Sequence, residues 1–155
     1  MKLGITMGDI NGIGPEVILK ALSIPYISKI CTPIIYGSTK VLFYHKNIVT
    51  DNTLQFVTIN NADHAQKGKI NVINCWDDNV NITLGKPTQE SGKCAKLSLE
   101  RAAADAKAGS IDGIVTAPIN KYAMKLSGFS HPGHTEFFAQ IDDQKDSLMT
   151  LFSDQ

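Results

Sequence analysis

The chain has 155 residues, 43% of them hydrophobic and 19% charged, the balance of a soluble fold that buries a sizeable core, and no low-complexity tract interrupts it. Fifteen Lys and Arg offset fifteen Asp and Glu, so no net field recruits nucleic acid or an anionic membrane. Arg101 is the lone arginine, so a ligand's phosphate or carboxylate has to be held by Lys, His, hydroxyl and backbone donors rather than by a guanidinium fork.

Cys31, Cys75 and Cys94 are odd in number and contain no C-x-x-C pair, which argues against a disulfide framework or a zinc knuckle and for thiols in a reducing compartment. The start, Met1 to Met7, is too short in apolar length for a signal peptide, and nowhere do about eighteen apolar residues run together. A cytoplasmic protein is the expectation.

In chain order, short apolar runs alternate with helical patterns, which predicts an α/β fold with a parallel or mixed sheet covered by helices. The first strand is expected over Lys2–Met7. A glycine-rich loop, Gly8 to Gly14, leads to a helix over Pro15–Leu22, with Pro15 at the first helical position and Glu16 in the first turn. Pro33–Tyr36 reads as a second strand, Thr39–His45 as a short helix, and Gln55–Ile59 and Lys69–Cys75 as strands around a polar turn at Asn60–Gly68. Trp76 to Pro87 has little periodicity. Gln89–Ala108 carries the clearest helical pattern and is stopped by Gly109, and a strand follows over Ile111–Val115. Ser147–Phe152 reads as a last strand.

Four groups could carry chemistry. The loop around Asp9, from Met7 to Glu16, joins a strand to a helix, so its amides could hold an anion, but its spacing fits neither G-x-G-x-x-G nor a Walker loop, and a tight turn needing glycine is the readier explanation. Downstream of Thr116-Ala117-Pro118, where the chain must leave the sheet, lie Asn120, Lys121, His131, His134, Thr135 and Glu136. His134 can contact a phosphate near neutral pH, while Thr135 is either a second donor to that ligand or the N-cap of a helix starting at Glu136. Lys121 is either a counter-charge for an anionic substrate or a solvated residue in a helix running to Leu126. His131 and His134 share helical ligand spacing, yet Pro132 and Gly133 break that geometry, so no complete metal site is expected in the chain. The paired carboxylates of Trp76-Asp77-Asp78 could bind a cation, although a solvated surface turn is the readier explanation.

Three separated blocks, TMGDINGIGPEVILKAL, GKPTQESGKCAKLSLERA and IVTAPINKYAMKLSGFSHPGHTEFFA, resemble the N-terminal part of the PdxA family, the 4-hydroxythreonine-4-phosphate dehydrogenases of vitamin B6 biosynthesis. The resemblance implies a three-layer α/β/α fold of the isocitrate and isopropylmalate dehydrogenase type, incomplete in this chain, with residues 1–120 in a first lobe and 121–155 forming a cleft segment and the start of a second. It implies NAD-dependent oxidation of 4-phosphooxy-L-threonine, decarboxylation to 3-amino-2-oxopropyl phosphate, and a homodimer that needs a divalent metal (Zn, Mg or Co). The family's His-Thr substrate pair falls on His134 and Thr135, with Lys121 and Asp9 as secondary substrate contacts. Its metal ligands fall beyond Gln155, so the 155 residues alone are expected not to turn over. A related dehydrogenase of 4-phospho-threonate or 4-phospho-erythronate, and a non-catalytic ligand-binding module, are the alternatives.

Overall fold

The computed structural model describes residues 1–49, 54–77, 79–143 and 147–153. Five strands, β1 (Lys2–Thr6), β2 (Thr32–Gly37), β3 (Phe56–Thr58), β4 (Ile70–Asn74) and β5 (Gly113–Thr116), form one sheet in the order β3-β4-β2-β1-β5. Every neighbouring pair is parallel. Parallel strands need crossover segments, and the helices provide them: α1 (Gly14–Leu22), α2 (Ile27–Ile30), α3 (Thr39–Val49) and α4 (Gln89–Lys107), followed by α5 (Lys121–Leu126) and α6 (His134–Ile141). The short α2 and a 3-10 turn at Ala62–His64 fall in stretches whose sequence gave no helical period.

Alternation along the strands divides the core into two layers. Ile35 and Val72 point to the side covered by α1 and α3, where they meet Ile18, Leu19 and Leu42. Their chain neighbours Ile34, Tyr36 and Ile73 point the other way, onto Ala102 of α4. The fold is therefore a three-layer α/β arrangement. Among the described residues no helix is long and apolar enough to cross a membrane.

Helix α4 starts on a capping box, in which the Thr88 hydroxyl accepts from the Ser91 amide at 3.0 Å and the Ser91 hydroxyl accepts from the Thr88 amide at 3.3 Å. Its small residues let it lie close to everything it touches. A methyl group added at Gly92 would collide with the Ala123 carbonyl, so only glycine admits α5 at this distance. One turn along, Ala95, Leu99 and Ala103 meet Met124, Phe129 and Phe137, which fixes α5 and α6 on the outer side of α4.

One expectation is corrected here. Residues 147–153 form no strand: Leu148, Leu151 and Phe152 are each more than nine-tenths exposed, and no described strand pairs with them. An apolar run becomes a strand only where a partner takes its backbone hydrogen bonds. Part of the Trp76-Asp77-Asp78 group, Asp78, lies outside the described residues, while Asp77 is exposed. The cysteine thiols are unpaired, and burial pushes Cys75 and Cys94 up to about 12.

Replacing Gly92 with Ala should destabilise the fold by about 1–3 kcal/mol, the usual range for overpacking, read as a lower denaturant midpoint with unchanged slope. Stability should also fall in mild acid. Burial holds the imidazoles of His45 and His134 below their usual 6.5, so the unfolded chain binds more protons than the folded one as pH drops below that value. The contribution is complete above the unfolded pKa and is lost as pH falls through the folded values. Denaturation midpoints at neutral and mildly acidic pH check this, and exchanging His45 for Gln should flatten the slope.

Candidate active site at the carboxyl ends of β1 and β5

Strands β1 and β5 end level with each other, Thr6 opposite Thr116. Both chains then leave the sheet side by side. The Met7 amide donates to the Ser98 hydroxyl (2.9 Å) and the Tyr36 carbonyl (3.2 Å), while the Ser98 hydroxyl itself donates to the Tyr36 carbonyl (2.6 Å). This ties the ends of β1 and β2 to α4. Gly8 takes φ +69°, and a side chain there would strike the Pro118 carbonyl, so the turn requires glycine on both counts.

Three amides of the glycine-rich loop are taken by acceptors within the protein. The Asp9 amide donates to the Pro118 carbonyl (3.0 Å), the Gly12 amide to the Asp9 carbonyl (3.0 Å), and the Asn11 amide to the Asp9 carboxylate (3.0 Å). The tight-turn reading of this loop is therefore the better one, and the buried Asp9 carboxylate has a structural partner. Asn11 is the residue the sequence reading missed. Its side-chain amide donates to the Lys86 carbonyl (2.9 Å) and the Thr88 hydroxyl (3.3 Å), its side-chain oxygen accepts from the Thr83 amide (2.8 Å), and its carbonyl accepts from the Gly85 amide (2.8 Å). The unpatterned stretch before α4 is thus strapped to the loop after β1. From below, His45 donates through Nε2 to the Ile10 carbonyl at 2.9 Å.

Past Pro118, Asn120 caps α5, its side-chain oxygen accepting from the Ala123 amide at 3.0 Å. Lys121 is the exposed first residue of that helix. The following turn brings His131 edge-on to Phe129 and Phe137, with ring centroids 5.1 and 5.5 Å away. Helix α6 then begins at His134, with Gly133 at the N-cap and no side-chain cap. Thr135 is accordingly not the N-cap. The Gly133 backbone is extended and its carbonyl accepts from the Phe137 amide, so the first turn closes earlier than a helix starting at Glu136 would allow.

The chemistry of this site concentrates on His134. Its Nε2 is buried and has no hydrogen-bond partner, and burial lowers the pKa of the ring, which favours the neutral imidazole. The ring stacks on Phe138 at 6.5 Å. The first-turn amides of α6 have no intrahelical acceptor and no capping side chain, so the positive end of the helix is open. Thr135 lines a hollow of about 550 Å³ between α4, α6 and β5.

The structure thus places His134 and Thr135 together and sets the Asp9 loop against the 117–118 segment. Among the described residues, no hydrogen bond or ion pair joins Asp9 or Lys121 to His134. Nor do the described residues bring together three His, Cys, Asp or Glu side chains that could hold a metal ion.

A family model described as "Pyridoxal phosphate biosynthetic protein PdxA" matches residues 29–155. The chain is 47% identical over 152 residues to 4-hydroxythreonine-4-phosphate dehydrogenase of Bacteroides thetaiotaomicron, a match covering 97% of this chain and 42% of the relative. It is 35% identical over 151 residues to D-threonate 4-phosphate dehydrogenase of Cupriavidus necator, covering 96% of this chain and 45% of that one. Among solved structures, a 4-hydroxythreonine-4-phosphate dehydrogenase from Burkholderia phymatum superposes with a TM-score of 0.84 at 33% identity, over 94% of this chain and 44% of its own. The chain spans somewhat less than half the length of these relatives, and both the sequence match and the shared architecture show that it belongs to the PdxA family.

Proposed function

We propose that the chain supplies the phosphate-binding side of an NAD-dependent dehydrogenase that oxidises the C3 hydroxyl of 4-phosphooxy-L-threonine. Loss of carbon dioxide from the resulting β-keto acid leaves 3-amino-2-oxopropyl phosphate, a precursor in pyridoxine 5′-phosphate synthesis. The assembly is a cytoplasmic homodimer, with residues 1–120 in one lobe and 121–155 leading into the cleft and the second. NAD, when bound, accepts the hydride. The described residues do not fit a metal site, and no step is assigned to one.

The observation that supports this reading is the unpartnered, buried Nε2 of His134 at the open N-terminus of α6. A buried ring nitrogen without a partner is costly, and a helix start without a cap leaves its amides waiting for an acceptor. A phosphate ester answers both. Its oxygens accept from the first-turn amides and the Thr135 hydroxyl, and the imidazole faces them as a neutral donor or, once the dianion raises its pKa, as a cation. Holding the phosphate fixes the far end of the substrate, so that the hydroxyl to be oxidised is presented at one place in the cleft. Lys121 and Asp9 border the same strand ends, and we assign them secondary contacts with the substrate.

The similarity to a D-threonate 4-phosphate dehydrogenase favours one second reading, in which a phosphorylated hydroxy acid without the amino group is oxidised. The two substrates share the phosphate and differ at C2, so His134 and Thr135 serve either. NADH production from both compounds by the PdxA-length protein separates them: turnover of 4-phosphooxy-L-threonine supports the first reading, and turnover confined to 4-phospho-D-threonate replaces it. In the same assay, changing His134 or Thr135 to Ala should raise KM by roughly 10–100-fold with a smaller loss in kcat, the size expected for a charge-assisted hydrogen bond. An unchanged KM would remove both residues from the phosphate site.

A further inference from the structure

The glycine-rich loop contains the lone Asn-Gly step of the sequence, Asn11-Gly12, and the phosphate site proposed above makes no use of it. In such a step the backbone nitrogen of the glycine can attack the side-chain carbon Cγ of the asparagine, because no Cβ on the glycine stands in the way. Ammonia leaves, a cyclic imide closes, and water opens the imide to aspartate or isoaspartate. The attack requires that the glycine nitrogen give up its proton and that the asparagine amide be free to turn its carbon toward that nitrogen. The fold denies both. The Gly12 amide is held by the Asp9 carbonyl at 3.0 Å. Asn11 is only 2% exposed, with Nδ2 donating to the Lys86 carbonyl (2.9 Å) and the Thr88 hydroxyl (3.3 Å) and Oδ1 accepting from the Thr83 amide (2.8 Å). A hydrogen-bonded amide shielded from water loses its proton only when the local structure opens.

We propose that Asn11 is a deamidation site masked by its own hydrogen bonds, and that its modification unfastens the strap between the loop after β1 and the stretch before α4. Every other asparagine in the chain is followed by a residue with a side chain, which hinders the same attack. Both products damage the strap. In aspartate a carboxylate oxygen replaces Nδ2, so an acceptor faces the Lys86 carbonyl where a donor stood. The Thr88 hydroxyl can turn to donate to that oxygen, which preserves one contact of the pair. In isoaspartate the main chain runs through Cγ and is one atom longer, and the former Asn11 carbonyl, which accepts from the Gly85 amide at 2.8 Å, becomes a free carboxylate outside the main chain. Either change adds one negative charge to a chain whose formal net charge is zero. Opening of the 83–88 stretch therefore sets the rate of the reaction, and the reaction in turn favours the open form. The proposal concerns the loop's own chemistry and stands whichever phosphorylated substrate is used.

The test is incubation of the 155-residue chain, folded and in denaturant, at one mildly alkaline pH, followed by peptide mapping with mass spectrometry. Conversion of amide to acid is read as a small mass gain on the peptide carrying Asn11, and by ion exchange as the added charge. In denaturant Asn11 should be modified before any other asparagine, and in the folded chain its rate should be roughly tenfold or more lower. Gly12→Ala in denaturant should remove this fast reaction, which ties it to the missing side chain. Asn11→Asp reproduces one product: by hydrogen exchange its Thr83 and Gly85 amides should open roughly tenfold or more readily, while the Ile35 amide inside β2 stays protected. The rate comparison needs no variant, so it decides the masking even if Asn11→Asp does not fold. Equal rates in the folded and denatured chain, another asparagine reacting first in denaturant, or unchanged Thr83 and Gly85 exchange in folded Asn11→Asp would each overturn the proposal.

Discussion

The close packing of α4 against three different surfaces is the constraint on which the rest of the molecule depends. Ala102 sits on the sheet, Ser98 pins the ends of β1 and β2, and Gly92 admits α5 to a distance no other residue allows. Small side chains are the physical reason. A larger residue at any of these points would lift the helix off one partner to satisfy another, because cores at close-packed density have no slack to absorb a methyl group. Every segment that carries candidate chemistry hangs from this helix: the loop after β1 through Ser98 and Thr88, and the 120–139 segment through Met124, Phe129 and Phe137.

The polar groups near the strand ends divide by what they already do. Asp9, Asn11 and Asn120 are occupied, each holding a loop or a helix start in place. His134 is not. Its buried, unpartnered nitrogen at an open helix start is an arrangement that protein interiors tolerate poorly and ligand sites use routinely. The chain's near absence of arginine gives the same conclusion from composition, since phosphate recognition then falls to imidazole, hydroxyl and helix amides.

Much of this was legible in the sequence because it is local. Strands β1, β2, β4 and β5 and helices α1 and α4 lie within a few residues of their expected bounds, since apolar runs, Pro15 and the glycine after α4 act over one or two turns. What was not legible depends on contacts distant in the chain. Asn11 reaches partners 72 to 77 residues away, and nothing in a glycine-rich loop announces them; Thr88, a hydroxyl residue just before a strong helical pattern, could have been recognised as a cap. Thr135 as N-cap failed because Gly133 closes the first turn without a side chain, and the strand over Ser147–Phe152 failed because apolar content cannot supply a pairing partner. The His134-Thr135 pair was read as a substrate pair through resemblance, since a lone histidine before a helix carries no unique signal.

If α4 is the common support, the segments attached to it should open with it. Native-state hydrogen exchange measures this directly, by comparing the amides of Ser98 and Leu99 in α4 with those of Ala123 in α5 and Phe137 in α6. The account predicts one cooperative unit, in which these amides share an opening free energy and a destabilising change at Gly92 lowers all of them together. Exchange of the α5 and α6 amides at much lower free energy, with α4 still closed, would contradict it and show that the 120–139 segment is held by something other than this helix.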